Sequence, residues 1–451
     1  MKELEAYRKI MKNLPDGIRE AEAEAEKNDR IIAGMVNGKE TGLSASDKTA
    51  IFVRASGNKT GMTYTQNLEA DPREVLLEAY RNSEYVQEEQ PERLNGPAKD
   101  VFGQDIEHVT FEILLKKAAE LEKKIKEEVP DASHLSVMVS ENLKTTGIVN
   151  SLGLDKTCTV KIAEASLSFT CENGIHRSLE LETSAHSVEE LEDEYFIRKV
   201  KEWSGLPEQK AVLCPGSMPA VLNGCVMCNI LLTAWQMFSG YHYLNKSTPF
   251  YGKLGENLFP DILNISDIPE DAIAGYGRKF DCEGSTSQRV DIIKEGKLQA
   301  LMHNLTTASK LGSDYAGNAG RDVSLMADQT ECKVIPANFT LLSGSQKKEE
   351  LLADLQNGIY IYESFDMFHS VNTASGDFSI PCQGVIYRNG NPIGRVEGIT
   401  MNGNLVQFLR NIKKIADDRT TVSMVMSKSL AITAPSIYVS DLLVSGGQGD
   451  N

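Results

Sequence analysis

The sequence predicts an α+β protein in which N-terminal helix-plus-antiparallel-sheet units precede a β-rich, barrel-like C-terminal domain. Three observations predict this class. Short β-prone runs are broken by glycine turns, two segments carry apolar residues at helical spacing, and strand and hairpin signals dominate after residue 206. At roughly 150 residues per domain, 451 residues correspond to about two to four domains. We therefore divide the chain into units 1–95, 96–205 and 206–451.

The first unit combines a helix, a meander and a second helix. Residues 1–30 carry mixed charge throughout and predict an amphipathic, solvent-facing helix. Residues 30–66 contain β-prone runs broken by turn signals such as Asn37-Gly38, a pattern typical of an antiparallel meander. Asp71-Pro72 predicts a helix start, because proline is tolerated in the first turn, where its N–H would have no partner.

The second unit repeats this order of elements. Residues 86–107 are polar and predict a linker, and apolar residues at helical spacing predict a helix over 111–129. Alternating residues over 135–185 predict the strands of a sheet. Ser187 with Glu190 three positions later predicts a capping box that begins the last helix of the unit.

The third unit opens with an uncharged stretch, residues 211–245, which contains no Lys, Arg, Asp or Glu. Its length would permit a membrane span, but internal prolines, asparagines and glycines favour a buried helix of a soluble core. Glu295-Gly296 and Asn389-Gly390 predict hairpin turns, and residues 404–416 predict one helix.

Composition and charge exclude several classes of function. The chain has 47 basic and 64 acidic residues, and the net charge of −17 argues against nucleic acid as a partner, since a basic surface supplies most of that affinity. The charged N-terminus lacks the apolar core of a secretory signal, so we expect a cytoplasmic protein with no membrane partner. Its eight cysteines are expected to be reduced.

Local motifs for metal, nucleophile and phosphate chemistry are weak. The closest two of the seven histidines are ten residues apart, so no helix carries a local His-pair zinc site. Cys225 and Cys228 form the only CxxC motif, and its apolar setting favours packing over redox or metal chemistry. Cys382 and Ser217 are the conspicuous nucleophile candidates, although neither lies in a nucleophile-elbow motif. No phosphate-binding glycine loop is present.

Four polar, glycine-containing clusters in the third unit predict strands that line a cleft. They span residues 278–289, 301–312, 369–384 and 396–405. The candidates for contacting a bound substrate are Asp281, Glu283, Asn304, Asn372, Asp377 and Ser379. Turn and capping roles are the alternative for each of them.

These clusters resemble the TldD/PmbA family, whose PmbA branch is also called TldE. The segments that carry the resemblance are FDCEGSTSQRVDIIKEGKLQALMHNLTTASKLG and SVNTASGDFSIPCQGVIYRNGNPIGRVEGITMNGNLVQFLRNI. The N-terminal segment ASGNKTGMTYTQNLEADPREVLLEAYRNS resembles the family more loosely. The resemblance runs from about residue 30 to residue 445.

The resemblance implies a dimer that encloses a proteolytic chamber and cuts small or unfolded peptides. Catalytic TldD-type members carry HExxxH on the helix that opens the C-terminal domain, and a distant cysteine completes their zinc site. Here the corresponding stretch reads NGCVMC and NILLTAWQMF, without the His, Glu and His of the motif. This departure is similar to PmbA-type members, the non-catalytic partners in TldD–PmbA heterodimers.

The resulting hypothesis is a non-catalytic, peptide-holding subunit of a TldD/PmbA-type metallopeptidase complex. It predicts no catalytic residue, metal ligand or cofactor in this chain, and zinc only in a catalytic partner. The expected partners are an HExxxH-bearing TldD-like paralogue, or a second copy of the chain, and a peptide substrate. Two alternatives stay open: a homodimeric peptide- or ligand-binding protein without peptidase activity, and a hydrolase with a cysteine nucleophile, for which Cys382 is the candidate.

Overall fold

A computed structural model describes residues 1–86, 93–103, 106–171, 177–270, 277–321, 323–324, 327–328, 331–423 and 430–446. Within them the fold is the predicted α+β class. An eight-stranded N-terminal sheet with helices packed on it is followed by two six-stranded sheets and two short two-stranded ones. No helix in the described part of the chain is both long and apolar enough to cross a membrane.

The N-terminal elements alternate between helices and long antiparallel strands. They are α1 (Glu5–Ile10), β1 (Glu20–Val36), β2 (Lys39–Glu40), β3 (Ser44–Ser56), β4 (Thr60–Thr65), α2 (Pro72–Asn82), β5 (Ala98–Phe102), α3 (Phe111–Glu128), β6 (Ser133–Asn150), β7 (Leu154–Cys171), β8 (Arg177–Ala185) and α4 (Asp193–Ser204), with a short 3-10 turn at Ser83–Tyr85. The strand order is β4-β3-β1-β6-β7-β5, with β2 on β1 and β8 on β7. One sheet therefore runs through both predicted units, across the boundary at residue 95.

The prediction of a helix over residues 1–30 is wrong for most of that range. Only Glu5–Ile10 is helical, and Glu20–Val36 forms the long strand β1. In the run EAEAEAE the alanines are buried on one face against α1 and α2, and Glu22 and Glu24 are buried on the other. Alternation with a period of two is the strand pattern, and it overrides the helix propensity of Ala and Glu.

The other N-terminal predictions have mixed outcomes. The meander, the helix after Asp71 and the helix over 111–129 are confirmed, and Asp71 caps α2 by accepting from the Arg73 N–H (3.0 Å). The predicted linker lies partly outside the described residues, and part of it forms strand β5. The predicted capping box is wrong, because α4 begins only at Asp193 and the Glu190 N–H donates to the Ser187 carbonyl in a turn.

The C-terminal part contains sixteen strands and six helices among the described residues. The strands are β9 (Gly216–Leu222), β10 (Ile265–Asp267), β11 (Val290–Lys294), β12 (Lys297–Leu298), β13 (Ala319–Gly320), β14 (Val323–Ser324), β15 (Ala327–Asp328), β16 (Lys333–Val334), β17 (Asn338–Leu341), β18 (Asn357–Ser364), β19 (Asp377–Arg388), β20 (Asn391–Asn404), β21 (Ile412–Ile415), β22 (Thr420–Ser423), β23 (Ala431–Ala434) and β24 (Ile437–Gly446). The helices are α5 (Gly224–Ala234), α6 (Gly240–Leu244), α7 (Leu305–Leu311), α8 (Lys348–Asp354), α9 (Met367–Ser370) and α10 (Leu405–Arg410), with a 3-10 turn at Trp235–Phe238.

The sheet that contains β9 closes into a barrel-like ring. Its order is β20-β19-β18-β9-β24-β21, and an additional pairing of β20 with β24 joins five of its strands in a circle. The second large sheet has the order β12-β11-β10-β17-β23-β22. Helix α5 lies at the centre of the largest apolar cluster, which draws residues from both sheets.

The hairpin turns and the buried helix predicted for the C-terminal part are present, and one predicted helix is shorter than expected. Both hairpin turns are confirmed, and Asn389 and Gly390 adopt φ of 50° and 74°, as a type I′ turn requires. The uncharged stretch contains the buried helix α5, preceded by strand β9. The helix predicted over 404–416 ends at Arg410, because Ile412–Ile415 pairs with β24.

Candidate functional site

Helix α5 contains the stretch in which the sequence resemblance would place a zinc motif, and local contacts hold this helix in position. The Asn223 side chain accepts from the Val226 N–H (2.9 Å) and so caps the helix. Its Nδ2 atom donates to the Tyr362 carbonyl (2.8 Å), which fixes the helix start against β18. The apolar residues of α5 are almost fully buried, so the helix has a fixed position in the core.

The side of α5 that is not fully buried carries Cys225 and Asn229. Asn229 Nδ2 donates to Ser364 Oγ (3.1 Å). Burial raises the pKa of the Cys225 thiol, the nearby Lys199 opposes this shift, and Glu363 adds to it. This surface therefore presents a protonated thiol and an amide.

A catalytic zinc needs about three protein ligands and an open position for water. The sequence of α5, GCVMCNILLTA, contains no His, Asp or Glu. The Cys228 thiol is buried and donates to the Thr420 carbonyl (3.2 Å), and burial raises its pKa. The residues of α5 do not fit a catalytic zinc site.

A polar cavity of about 810 Å³ lies beside α5, and we call it the β22 cleft. Its walls are residues 183–185 of β8, the outer face of α4, residues 347–349 at the start of α8, and residues 417–421. Thr420 connects the cleft to α5, because its carbonyl accepts from Cys228 while its hydroxyl accepts from Lys199 Nζ (3.4 Å). Among the described strands β22 pairs only with β23, and β8 of the N-terminal sheet lies near it without forming a ladder.

Ion pairs and hydrogen bonds hold in place the charged side chains that line the β22 cleft. Lys348 Nζ lies 2.6 Å from Glu202 Oε1 and is almost fully buried. Lys199 Nζ lies 3.8 Å from the other Glu202 oxygen. The Asp418 carboxylate accepts from the backbone N–H and the hydroxyl of Ser436, both at 2.7 Å. The lining is charged but largely compensated, which suits a main chain better than one side chain of fixed charge.

Three of the predicted substrate contacts, Asp281, Glu283 and Asn304, come together elsewhere, and all three are buried. Asp281 Oδ1 accepts from the N–H groups of Glu283 (3.0 Å) and Ser285 (2.9 Å), and Oδ2 accepts from Ala319 N–H (2.9 Å). Asn304 caps α7 with a capping box. These contacts fit the turn and capping alternative, and substrate contact by the three residues stays a prediction.

Glu283 belongs to a buried ionic cluster between the N-terminal sheet and the C-terminal part. Its Oε2 accepts from the Leu305 N–H (2.7 Å), and its Oε1 lies 3.3 Å from Arg54 Nη1. Arg54 also donates from Nε to Glu22 Oε1 (3.0 Å), and Arg321 Nε donates to Glu24 Oε2 (2.7 Å). We call these five residues the interface cluster.

Burial raises the pKa values of the carboxyl groups in and beside this cluster. The pKa of Glu24 rises to about 7, against the opposing effect of Arg321. The pKa of Glu283 rises to about 8, with Arg54 opposing and Asp281 adding to the rise. The pKa values of Glu24 and Glu283 therefore lie near neutral pH. Sequence reasoning missed Glu22 and Glu24, whose signal was the two-residue alternation in β1.

The remaining predicted contacts, Asn372, Asp377 and Ser379, are exposed on and beside β19. Asp377 accepts from Asn404 Nδ2 (2.9 Å) and Ser375 Oγ (2.8 Å), and these hydrogen bonds lower its pKa. Ser379 Oγ donates to Asn402 Oδ1 (2.8 Å) across the strand pair. Sequence reasoning did not single out Asn402 and Asn404, the partners on β20. The structure does not test whether this polar row binds a substrate.

Cys382 does not have the properties of a nucleophile. It lies inside β19 and is 1% exposed. Burial raises the pKa of its thiol to about 12. Burial and a raised pKa make the Cys382 thiol a poor nucleophile, and the alternative of a hydrolase with a cysteine nucleophile stays a prediction.

Comparison with known proteins defines the class. Residues 215–446 match the family model described as the PmbA/TldA metallopeptidase C-terminal domain. Because this match covers more than half of the chain, the protein belongs to the TldD/PmbA family of metallopeptidase-like proteins.

Individual relatives agree with this assignment. The chain is 28% identical over 194 residues to "Metalloprotease PmbA" of Escherichia coli O157:H7, covering 43% of this chain and 40% of the relative. It is 29% identical over 169 residues to a "Metalloprotease" of Methanothermobacter thermautotrophicus, covering 37% of this chain and 35% of the relative. The chain thus spans well under two thirds of the length of these relatives.

A solved structure extends the similarity of fold to the whole chain. The crystal structure of TldE from Thermococcus kodakarensis superposes with a TM-score of 0.83 at 16% identity, covering 98% of this chain and 100% of that one. At this identity the likeness shows the fold alone.

Proposed function

We propose that this chain is the non-catalytic, peptide-holding subunit of a TldD/PmbA-type metallopeptidase complex in the cytoplasm. The observation that carries the proposal is the composition of α5, which offers no His, Asp or Glu in the helix that opens the C-terminal part. Without such ligands this helix cannot hold a zinc ion that activates a bound water. Zinc and the general base then belong to an HExxxH-bearing partner.

The β22 cleft supports the peptide-holding role. An extended peptide added to a free strand edge gains main-chain hydrogen bonds without a strict sequence requirement. Among the described strands β22 has β23 as its sole pairing partner, and it lies beside a cavity of about 810 Å³. The compensated charges around Glu202 leave the cleft tolerant of different side chains. This is the recognition that small or unfolded peptides of varied sequence need.

The test measures peptide cleavage and bound zinc for this chain alone, for an HExxxH-bearing paralogue, and for the two together. We expect no zinc and no cleavage with the chain alone, and faster cleavage by the mixture than by the paralogue. The matched control is the paralogue with Glu→Gln in its motif, which should abolish cleavage in the mixture. Stoichiometric zinc with cleavage by this chain alone would contradict the proposal.

A further inference from the structure

Two buried thiols from distant parts of the chain meet beside the interface cluster. Cys282 Sγ lies 2.7 Å from Cys332 Sγ, although the residues are 50 positions apart in the sequence. A disulfide bond is about 2.03–2.05 Å long, so a small approach of the two atoms would complete one. We propose that Cys282 and Cys332 form an oxidation site that closes to a disulfide when the protein meets a peroxide. This site does not depend on the proposed function.

Both thiols are held on well-anchored backbone. Cys282 lies in the turn that the Asp281 carboxylate organises through the N–H groups of Glu283 and Ser285. Cys332 immediately precedes β16, which pairs with β13, and its carbonyl accepts from Asn304 Nδ2 (3.4 Å). Both segments are anchored on β13, because the Asp281 carboxylate also accepts from the Ala319 N–H, and this shared support organises the dithiol in advance for oxidation.

A small oxidant has space beside Cys282. Cys282 lines a cavity of about 70 Å³ between the N-terminal sheet and residues 277–282. This space exceeds what one water molecule needs, and hydrogen peroxide is only slightly larger. Arg321 lines the same cavity, and its positive charge favours the Cys282 thiolate. Burial raises the pKa of Cys282 well above its ordinary value, so its oxidation is slower than that of an exposed thiol.

The reaction balances with one peroxide per pair. The first thiolate attacks one peroxide oxygen, the O–O bond breaks, and a sulfenic acid forms with release of water. The second thiol then displaces the sulfenic hydroxyl, the S–S bond forms, and a second water leaves. The two sulfur atoms together lose two electrons, which reduce the peroxide, and the two thiol protons leave in the water formed.

The CxxC motif is a less favourable place for this chemistry. Cys228 donates to the Thr420 carbonyl in the core, whereas Cys225 lies on the less buried side of α5. Closure of the Cys282–Cys332 pair would instead link the turn that carries Glu283 to the segment that leads into β16. Since Glu283 contacts Arg54 of the N-terminal sheet, the disulfide would brace the junction between the two parts of the protein.

The experiment treats the full-length protein with increasing hydrogen peroxide, alkylates the remaining thiols, and maps linked peptides by mass spectrometry without reductant. We expect a peptide pair joined through Cys282 and Cys332, a loss of two hydrogen masses, and a thermal midpoint that rises by several degrees and returns with a dithiol reductant. The exposed Cys214 is the internal reference for peroxide exposure. Its oxidation is expected first.

The controls are C282S and C332S, each of which should lose both the linked peptide and the reversible thermal shift. The wild-type map identifies the linked pair by itself, so a variant that fails to fold does not weaken the test. Absence of the 282–332 link at peroxide doses well above the one that fully oxidises Cys214 would overturn the proposal. A link between other cysteines in place of this one would overturn it as well.

Discussion

At the scale of single residues, the most consequential groups are the buried charges of the interface cluster. Arg54 is 2% exposed and is shared by Glu22 and Glu283. Breaking a buried ion pair by removing one partner costs about 3–5 kcal/mol, because the other charge stays buried without compensation. We therefore expect Arg54→Met to lower the free energy of unfolding by about that amount, measured by urea denaturation at neutral pH.

The matched control for this prediction is an exposed ion pair. Lys210 Nζ lies 3.0 Å from Glu397 Oε2, with 68% of the lysine side chain exposed. Exposed pairs contribute about 0–1 kcal/mol, so Lys210→Met should change stability by less than about 1 kcal/mol. Equal losses of unfolding free energy in Arg54→Met and Lys210→Met would show that the interface cluster does not contribute to stability.

The same cluster predicts a dependence of stability on pH. The pKa of Glu283 rises on folding from 4.5 to about 8, so between these values the folded protein holds a proton that the unfolded chain has released. The free energy of unfolding therefore falls as pH rises from about 4.5 to about 8. Glu283→Gln removes this titration, and its stability relative to wild type should improve by on the order of 5 kcal/mol across the window.

Urea denaturation at several pH values measures this slope. The control is Glu69→Gln, an exposed residue whose loss should leave the pH dependence unchanged. An unaltered slope in Glu283→Gln would contradict the assignment of the titration to the cluster.

Residue patterns could predict some of this site and not the rest. The polar, glycine-containing segments around Asp281 and Asn304 meet in space, where Glu283 accepts from the Leu305 N–H. They contained no signal for Arg54, which contacts Glu283 across 229 positions. The Cys282–Cys332 contact also joins segments with no shared motif. Pairings of this kind depend on how the two parts of the protein pack, which local pattern does not contain.

At the scale of elements, periodicity predicted long helices and turns well and failed where pairing decided the outcome. The helix α3 and the Asn389-Gly390 hairpin follow their patterns closely. The segment after Arg410 has a helical apolar pattern, yet it becomes β21 because the backbone of β24 is available to pair with it. Tertiary hydrogen bonding outweighs a propensity that amounts to a few tenths of a kcal/mol per residue.

The turn over residues 281–285 is the element that docks the C-terminal part onto the N-terminal sheet. Gly284 has φ of +76°, and an added Cβ would lie 2.5 Å from Leu154 Cδ2 on β7. Left-handed backbone costs an alanine about 1–2 kcal/mol, and overpacking adds typically 1–3 kcal/mol. We expect Gly284→Ala to lower the free energy of unfolding by about 2–4 kcal/mol in chemical denaturation.

Gly312 gives a control with the same backbone conformation. It ends α7 with φ of +69°, and an added Cβ would meet no atom within 4 Å. Gly312→Ala should therefore show only the backbone cost of about 1–2 kcal/mol. If Gly284→Ala and Gly312→Ala lower the free energy of unfolding equally, the contact of the turn with β7 does not contribute to the loss.

At the scale of the whole molecule, the sequence predicted which kinds of element follow one another along the chain. It did not predict how the strands of different units pair with one another. The β-rich C-terminal part and its barrel-like ring are confirmed. The strands before and after residue 95 nevertheless join one sheet, because β1 pairs with both β3 and β6. The turn with Phe280 also packs on Ile148 and Leu154 of that sheet. Composition and periodicity do not predict contacts between strands that are distant in the sequence.

This continuity predicts that the protein unfolds as one cooperative unit. The chain has two tryptophans, Trp203 in α4 and Trp235 directly after α5, so each part carries one fluorescent reporter. We expect the single-tryptophan variants Trp203→Phe and Trp235→Phe to show coincident unfolding transitions in urea, because the packing of Phe280 and the interface cluster couple the two parts. Adding Gly284→Ala should move both transitions to lower urea together. A transition of the Trp203 reporter that clearly precedes that of Trp235 would show that the N-terminal sheet unfolds independently.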